Sequence, residues 1–353
     1  MATASSPAIG HANFGSTPGW ENTMSWDTMK VLITAVGAIV TALILPAAAQ
    51  SLSKDIAGRI EAIPVQTLTI SDEQFLKGDA YGKPTTIAGV LRVAQGSGRL
   101  PVVIFIAGSS GFGPVSDVWD RQFGEMGIST FEMDSFAGRG IVSTVIDQSQ
   151  LGWFNMILDL YRSLAVLAAH PRVDPTRIAV MGWSRGGRAA LYSSMRRFQK
   201  MWNPGGVEPA AYIPLYPPCD MTLVGDTDVS DHPITIFHGS SDDWTPIAPC
   251  QTYLARLQQS AKNVKLVAFP DTSHAFDYPN LPTTPTVVKD AYVPLCTLVE
   301  EPLGIMVNTQ TKKSFTYGDS CVGTDPHAAY SPSSTRATQD AVKALLREVF
   351  KLN

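Results

Sequence analysis

The chain has 353 residues, of which 44% are hydrophobic and 16% are charged, and its formal net charge at pH 7 is −4. This length and composition are typical of a globular protein with one large α/β domain or two small ones. The small negative charge, without a clustered stripe of lysine and arginine, argues against nucleic acid as a partner.

The first predicted element in chain order is a secretory signal peptide at 29–49. Lys30 is followed by an uncharged apolar run at 31–45 and by alanines at 47–49, which is the layout of a signal that is cleaved after Ala49. The apolar run is shorter than the ~20 residues of a membrane span. We therefore expect no stable membrane anchor once the signal is cleaved, and an uncleaved anchor is the alternative.

The position of the signal sets the predicted domain boundaries. The residues before it are rich in Ser, Gly and Ala and show no periodicity. We expect residues 1–28 to be a non-native or disordered leader, with Met24 or Met29 as the true start. Residues 50–353 are expected to form a single domain, with an inserted loop or lid around 277–330.

Strand and helix patterns alternate through this predicted domain, which favours a mostly parallel, doubly wound sheet covered by helices on both faces. Strands are predicted at 85–94, 101–108, 128–133, 177–182, 210–216, 233–239 and 264–270. Helices are predicted at 117–127, 151–170, 187–200, 250–261 and 335–352. In sheets of this kind active sites lie at the carboxyl ends of the strands, so the polar residues that follow a strand are the functional candidates.

Ser184 follows the predicted strand at 177–182 and precedes a predicted helix. It stands in "GWSRGG", a G-x-S-x-G motif typical of the sharp turn that presents a nucleophilic serine at the end of a strand. Gly182 and Gly186 suit such a turn, because larger side chains two residues from the serine would clash. The motif alone also fits a serine that caps a helix.

Aspartates and a histidine follow later strands. "HGSSDDWTP" places Asp242 and Asp243 after the strand at 233–239, and "FPDTSHAFD" places His274 after the next predicted strand. A serine hydroxyl needs a base to take its proton, and a carboxylate orients that base. The chain order Ser–Asp–His is that of the catalytic triad in the α/β-hydrolase fold, and it leaves the choice between the two aspartates open.

The loop "GSSG" after the buried strand at 101–108 is predicted to complete an oxyanion hole. In this fold one backbone N–H comes from such a loop and the other from the residue after the nucleophile. The predicted donors are the amides of Ser109 and Arg185, with Ser110 as the neighbouring candidate. A nucleotide site is not expected, because the loop lacks the G-K-[ST] ending of a P-loop.

The segments "GWSRGG", "HGSSDDWTP", "SHAFD" and "ATQDAVKALLREVF" together resemble the dienelactone hydrolase family of α/β-hydrolases, over roughly residue 80 to the C-terminus. The family pattern H-G-x-x-D-x-x-x-P places the catalytic acid on Asp242, with Pro246 four residues later, and "SHAF" places the base on His274. The chain departs from the family in one position, because dienelactone hydrolases proper have cysteine where Ser184 stands. The resemblance therefore implies a broader ester hydrolase.

Further side chains near these positions are predicted to line the substrate pocket. Trp183 and Trp244 are neighbours of the predicted nucleophile and acid, with aromatic packing as the alternative. Arg139 follows another strand end and is predicted to hold a substrate carboxylate, with a structural ion pair to Asp134 as the alternative. Ser110 completes the predicted substrate-binding set.

Four cysteines lie in the predicted domain, Cys219, Cys250, Cys296 and Cys321. An even number in an exported protein suggests two disulfides. We favour Cys219–Cys250, because each follows one of two successive strands, and Cys296–Cys321, which would staple the predicted lid. A zinc site is the alternative, although the Cys/His spacing of zinc sites is missing, and we predict neither a metal nor a cofactor.

The sequence thus predicts an exported serine hydrolase, secreted or periplasmic, that cleaves small-molecule carboxylic esters or lactones through an acyl-enzyme on Ser184. One alternative is a peptidase of the prolyl-oligopeptidase type, although nothing like a propeller precedes the domain. The other is a hydrolase fold without catalysis that serves in binding.

Overall fold

The computed structural model describes residues 59–260 and 263–352. The predicted leader at 1–28 and the predicted signal peptide at 29–49 lie outside the described residues. None of the helices within the described ranges is long and apolar enough to cross a membrane.

An 8-stranded sheet forms the centre of the described part of the chain. Up to residue 269 the strands are β1 (Ile60–Thr69), β2 (Lys83–Arg92), β3 (Leu100–Ile106), β4 (Ser129–Asp134), β5 (Val173–Trp183), β6 (Ala211–Leu215), β7 (Met221–Thr222), β8 (Ile234–Gly239) and β9 (Val264–Phe269), and all of them except β7 belong to this sheet. The order is β1-β2-β4-β3-β5-β6-β8-β9, in which the β1–β2 and β2–β4 pairs are antiparallel and the other pairs are parallel. The predicted mostly parallel sheet is confirmed.

Burial differs between the centre and the edge of the sheet. Every residue of β3 is buried, and so is the second half of β5 from Ile178 to Trp183. Strands that are buried on both faces are typical of parallel sheets covered by helices, and their continuous apolar runs make them easy to predict. The edge strand β1 instead alternates exposed with more buried residues. It has no such run, and for this reason the sequence pattern predicts no strand there.

Helices cover both faces of the sheet. They are α1 (Asp72–Lys77), α2 (Pro114–Glu125), α3 (Asn155–Ala168), α4 (Arg185–Tyr192), α5 (Arg196–Trp202), α6 (Ile247–Leu257) and α7 (Pro332–Phe350). One core cluster includes residues of α3, α4 and α6, and a second cluster, on the other face, includes residues of α2 and α7. The core therefore has two layers with the sheet between them, as in other α/β folds.

The helix predicted at 187–200 is wrong, because the chain forms two helices there, α4 and α5. The hydroxyls of Ser193 and Ser194 donate to the carbonyl oxygens of Ala190 and Leu191, at 2.9 and 2.6 Å. Such local bonds compete with the helical backbone pattern and favour its end.

The segment 277–330 forms small sheets of its own. Its strands are β10 (Thr286–Val287), β11 (Tyr292–Pro294), β12 (Leu298–Glu301), β13 (Ile305–Asn308), β14 (Lys313–Ser314), β15 (Val322–Thr324) and β16 (His327–Ala328). β14, β13 and β12 continue onto β7, β11 pairs with β15, and β10 pairs with β16. A bridge between His274 and Ala328 joins the segment to the loop after β9.

Both disulfides are present in the favoured pairing, Cys219–Cys250 and Cys296–Cys321. The first ties the loop after β6 to α6, and the second closes 25 residues of the segment 277–330. With all four sulfurs bonded to each other, the alternative of a cysteine-bound zinc is excluded. No cluster of His, Cys, Asp and Glu fit for a metal ion occurs in the ranges that the structure describes.

Candidate active site

Ser184 lies on a sharp turn between β5 and α4. Its backbone has φ 52° and ψ −113°, a strained conformation for a residue with a side chain. A Cβ added to Gly182 would lie 2.2 Å from the Gly186 oxygen, and one added to Gly186 would lie 2.1 Å from the Ile106 oxygen. Only glycine fits at these two positions. The Ser184 side chain makes no capping hydrogen bond to α4, so its hydroxyl is free for another role.

The structure brings Ser184, Asp242 and His274 together at the carboxyl ends of β5, β8 and β9. His274 Nε2 lies 3.0 Å from Ser184 Oγ, and His274 Nδ1 lies 2.7 Å from Asp242 Oδ2. Asp242 and His274 are buried, whereas Ser184 is partly exposed. The three side chains thus form a continuous hydrogen-bonded chain that ends at a hydroxyl within reach of a ligand.

The loop after β8 holds the Asp242 carboxylate. The backbone N–H groups of Trp244 and Thr245 donate to Oδ1 at 3.0 and 2.8 Å, and the Thr245 hydroxyl donates to Oδ2 at 3.0 Å. Burial opposes the ionisation of Asp242, but attraction to His274 and the hydrogen bond with it outweigh burial and hold the pKa of Asp242 below its ordinary value. Asp242 is therefore a carboxylate that stabilises positive charge on His274.

Two aromatic rings fix the orientation of His274. The Tyr216 ring packs edge-on against the imidazole at 4.7 Å between centroids, and the Trp244 ring lies 4.8 Å away on a tilted plane. The His274 carbonyl accepts a hydrogen bond from the Ala329 N–H. The imidazole is thus held by its neighbours as well as by Asp242.

Ser109 lines the same cavity as Ser184, and Arg185 follows Ser184 in the chain. Gly108 approaches Ser184 so closely that an added Cβ would lie 3.7 Å from the Ser184 Cβ, which brings the loop after β3 against the turn. Among the described residues neither amide N–H has a hydrogen-bond partner. The Ser109 carbonyl accepts from the Thr144 N–H at 2.8 Å, so the loop is anchored. Two unpaired donors beside a nucleophile can accommodate an oxyanion.

Two cavities meet at Ser184. The larger one has a volume of about 220 Å³ and its lining is mostly apolar: Gly108, Ser109, Ser110, Val145, Trp183, Ser184, Tyr216, Trp244, His274, Ala275, Tyr278, Leu281, Val288 and Ala328. The smaller one has a volume of about 30 Å³ and is lined by Ser109, Gln148, Trp153, Ser184, Arg185, Arg188, Pro218, Trp244, Thr245, Tyr292 and Tyr317. Of the predicted substrate-binding residues, Ser110, Trp183 and Trp244 line the larger cavity.

Arg139 does not reach either cavity, and the prediction that it binds a substrate carboxylate is wrong. Its guanidinium is buried and forms a bidentate ion pair with Asp159, at 2.7 and 2.9 Å. It also donates to the carbonyl oxygens of Leu68 and Ser135. The alternative pairing with Asp134 is also wrong, because Asp134 accepts backbone N–H groups of the following turn. Arg139 ties β1 to α3.

Asp277 is a buried residue of the site that the sequence motifs do not predict. Its carboxylate accepts hydrogen bonds from Tyr216 Oη at 2.6 Å and Trp183 Nε1 at 2.9 Å, with Trp119 Nε1 at 3.5 Å. Burial raises the pKa of Asp277, and these donors partly offset that effect. Asp277 closes the motif "SHAFD", but a single sequence does not reveal that two pocket aromatics converge on it.

Comparison with known proteins places these features in a family context. The model of the dienelactone hydrolase family matches residues 91–293, which is more than half of the chain and includes Ser184, Asp242 and His274. No protein among those with curated descriptions is similar enough in sequence to count as a match.

Solved structures share the fold at low sequence identity. A dienelactone hydrolase-type protein from Klebsiella pneumoniae has 16% identity and a TM-score of 0.51, and the alignment covers 82% of this chain and 99% of that protein. A dienelactone hydrolase-like promiscuous phosphotriesterase from metagenomic libraries has 15% identity and a TM-score of 0.52, with 83% and 99% covered. At these identities the likeness establishes the fold alone, which is that of the α/β-hydrolases.

Proposed function

The chain belongs to the dienelactone hydrolase family of α/β-hydrolases, and we propose that it is a serine hydrolase that cleaves carboxylic esters or lactones. The observation that carries the proposal is the hydrogen-bonded chain Asp242–His274–Ser184, with distances of 2.7 and 3.0 Å. A serine on a strained turn, a histidine within hydrogen-bond reach and a buried carboxylate behind it are the parts that acyl transfer needs.

In the first half of the reaction Ser184 Oγ attacks the ester carbonyl carbon while its proton passes to His274 Nε2. The carbonyl oxygen becomes an oxyanion that accepts hydrogen bonds from the amides of Ser109 and Arg185. When the tetrahedral intermediate collapses, the bond to the alcohol oxygen breaks and His274 gives its proton to that oxygen. The alcohol leaves, and the acyl group remains as an ester on Ser184.

In the second half a water molecule replaces the alcohol. His274 takes a proton from the water as the water oxygen attacks the acyl carbon, and a second oxyanion forms in the same place. The collapse of this intermediate returns the proton to Ser184 Oγ and releases the carboxylic acid. Asp242 stays ionised throughout and stabilises the imidazolium form of His274.

Export of the protein is part of the proposal. Disulfides persist in oxidising compartments and are rare in the cytosol. The two disulfides of this chain therefore support a secreted or periplasmic location. The predicted signal peptide at 29–49 would bring the protein there.

A fluorophosphonate probe tests the proposal, because an activated serine displaces its fluoride and becomes phosphonylated. We expect the wild type to be labelled and to hydrolyse p-nitrophenyl acetate, and Ser184→Ala to do neither. Ser333→Ala, which removes an exposed serine hydroxyl at the start of α7, is the control and should behave as the wild type.

Two results would contradict the proposal. Labelling of Ser184→Ala equal to that of the wild type would show that Ser184 is not the activated serine. Labelling of the wild type without turnover of any ester or lactone, but with cleavage of a peptide, would make the protein a peptidase.

A further inference from the structure

The two cavities that meet at Ser184 differ in size and in chemistry. Ser109, Ser184 and Trp244 line both of them. An ester whose carbonyl carbon lies at Ser184 therefore has both cavities within reach, one for its acyl group and one for its alcohol group. We call them the large and the small compartment.

The position of His274 assigns the alcohol side of the ester. His274 lines the large compartment and does not line the small one. In the proposed reaction the alcohol oxygen takes its proton from His274 Nε2, so this oxygen lies next to the imidazole in the tetrahedral intermediate. The alcohol group then extends into the large compartment, and the acyl group extends toward the small one.

The small compartment has room for a short group only. Its volume of about 30 Å³, against about 220 Å³ for the large compartment, is only two to three times the ~10–15 Å³ that a single water molecule needs. Gln148 and Tyr317 are among the side chains that close it. An acetyl group fits, and a longer acyl chain requires these side chains to move.

The small compartment is also polar. The buried guanidinium of Arg185 lies on it and donates to the Gln148 side-chain oxygen at 2.6 Å, and no carboxylate oxygen within the described ranges lies within 4.0 Å of it. Burial lowers the pKa of Arg185 to about 10, which leaves it charged at neutral pH. Arg188 adds a second guanidinium, paired with Asp220 at 2.8 Å. Both guanidinium groups are buried and donate to protein oxygens, so an aliphatic chain in this compartment would lie beside charged groups instead of an apolar lining.

The large compartment has the opposite character. No Asp, Glu, Lys or Arg is among the residues that line it. Most of the surface that faces this compartment is apolar, so an apolar alcohol group makes apolar contacts there.

From these observations we propose that the substrates are esters of a short, acetyl-sized acyl group with an apolar alcohol. The proposal rests on the proposed function, because the assignment of the two sides uses the triad mechanism.

Two isomeric esters test the proposal directly. Hexyl acetate and ethyl hexanoate have the same atoms and differ in the side of the ester bond that carries the long chain. With active sites counted by fluorophosphonate titration, we expect kcat/KM for hexyl acetate to exceed that for ethyl hexanoate by tenfold or more. Equal rates, or a preference for ethyl hexanoate, would overturn the proposal.

A pair of valine variants shows which compartment holds the long chain. Val288→Trp narrows the large compartment, and we expect kcat/KM for hexyl acetate to fall by about tenfold or more relative to that for ethyl acetate. Val224→Trp places the same side chain at an exposed position that lines neither compartment, and it should leave both rates unchanged. A loss in Val288→Trp that falls on ethyl hexanoate and spares hexyl acetate would place the acyl chain in the large compartment and overturn the proposal.

The fluorophosphonate titration distinguishes failure of the substrate class from failure of the proposed function. A protein that reacts with the fluorophosphonate at Ser184 but hydrolyses neither isomer refutes the substrate class and leaves the nucleophile intact. A protein that does not react at Ser184 refutes the proposed function, and this inference with it.

Discussion

Asp242 and Asp243 are adjacent in the chain, yet their surroundings give them different properties. Asp242 is buried and accepts hydrogen bonds from the backbone, from Thr245 and from His274. Asp243 is half-exposed, and its carboxylate bonds the His327 ring at 2.7 Å and the His327 N–H at 2.9 Å. Because a residue that orients a catalytic base must itself be fixed, only Asp242 is placed for that task.

Asparagine variants of the two aspartates separate these roles. We expect Asp242→Asn to lower kcat by about 10⁴, because an amide neither stabilises the imidazolium nor holds the productive tautomer of His274. The measurement is kcat on p-nitrophenyl acetate, together with circular dichroism to check folding. Asp243→Asn is the matched control and should keep the wild-type kcat, since the Asp243 carboxylate faces His327. Equal losses in both variants would contradict this division of roles.

The residues of the site differ in how far a single sequence reveals them. Ser184, Asp242 and His274 each follow a strand in a fixed order, and a local motif marks each of them. Arg139 also follows a strand, but its partner Asp159 is 20 residues away on a helix, and nothing local indicates that pairing. Asp277 has the same difficulty, because its donors come from other strands and helices. Motifs predict the reacting groups, whereas long-range hydrogen bonds decide which further polar residues serve the structure.

At the scale of elements, the turn between β5 and α4 explains why Ser184 is presented at the edge of the sheet. β5 is buried on both faces at this end, and α4 packs directly behind it. The chain must therefore reverse between a strand and a helix that touch. Gly182 and Gly186 make this contact possible because the neighbouring backbone occupies the space that a Cβ atom would need at either position.

An alanine at Gly182 tests how tight this turn is. The added methyl would lie 2.2 Å from the Gly186 oxygen, which belongs to the backbone and has no flexible end to move away. We expect Gly182→Ala to lower the free energy of unfolding by about 3 kcal/mol or more, and to lower activity with it. Urea denaturation followed by tryptophan fluorescence measures the change.

Gly124 in α2 provides the matched control for this substitution. An added Cβ at Gly124 meets no heavy atom within 4 Å, and its φ is not in the left-handed region. Gly124→Ala should therefore be neutral or raise the free energy of unfolding by about 0.4–1 kcal/mol. If Gly182→Ala were as stable as Gly124→Ala, the turn would not be as crowded as the structure indicates.

The strands and helices that could be predicted from the sequence are those with a strong local pattern of apolar residues. Alternating strands and helices with continuous apolar runs predicted the parallel strands β3, β4, β5, β6, β8 and β9, because burial on both faces leaves a strong local signal. β1 lies at the edge of the sheet and the strands of 277–330 are only two to four residues long, so neither has that signal. The break between α4 and α5 depends on hydrogen bonds from two serine hydroxyls to the backbone. The spacing of apolar residues, from which the helix was predicted, carries no information about these bonds.

At the scale of the whole molecule, the proposed substrate site extends beyond the part of the chain that matches the family. The match ends at residue 293, whereas Ala328 lines the large compartment and Tyr317 lines the small one. The pairing of β12 with β7 ties this later part to the rest, and the Cys296–Cys321 disulfide closes a loop within it. The proposed reacting groups thus belong to the matched region. The residues that line the two compartments, and would determine substrate specificity, come partly from the segment 277–330.

The stability of the whole molecule depends on pH through buried carboxylates whose pKa values shift in opposite directions. Asp242 has a lowered pKa, so its contribution to stability is present above its ordinary pKa near 3.8 and is lost as the pH falls further. Asp120 in α2 behaves in the opposite way. Burial raises its pKa to about 6, although the Thr130 hydroxyl and Arg92 partly offset burial.

An Asp120→Asn variant isolates the second effect. Because the pKa of Asp120 is about 6 when folded and near 3.8 when unfolded, the folded state binds the proton more tightly. Its contribution to stability is therefore complete below pH 3.8 and is lost as the pH rises through about 6. Relative to Asp120→Asn, the wild type should lose about 2 kcal/mol of unfolding free energy between pH 4 and pH 7, after allowance for partial exposure. Urea denaturation at intervals across this range, without reducing agent, measures it. Asp340→Asn, at an exposed position of α7, should keep the wild-type slope. If the wild type and Asp120→Asn gave parallel curves, Asp120 would bind its proton no more tightly in the folded protein than in the unfolded chain.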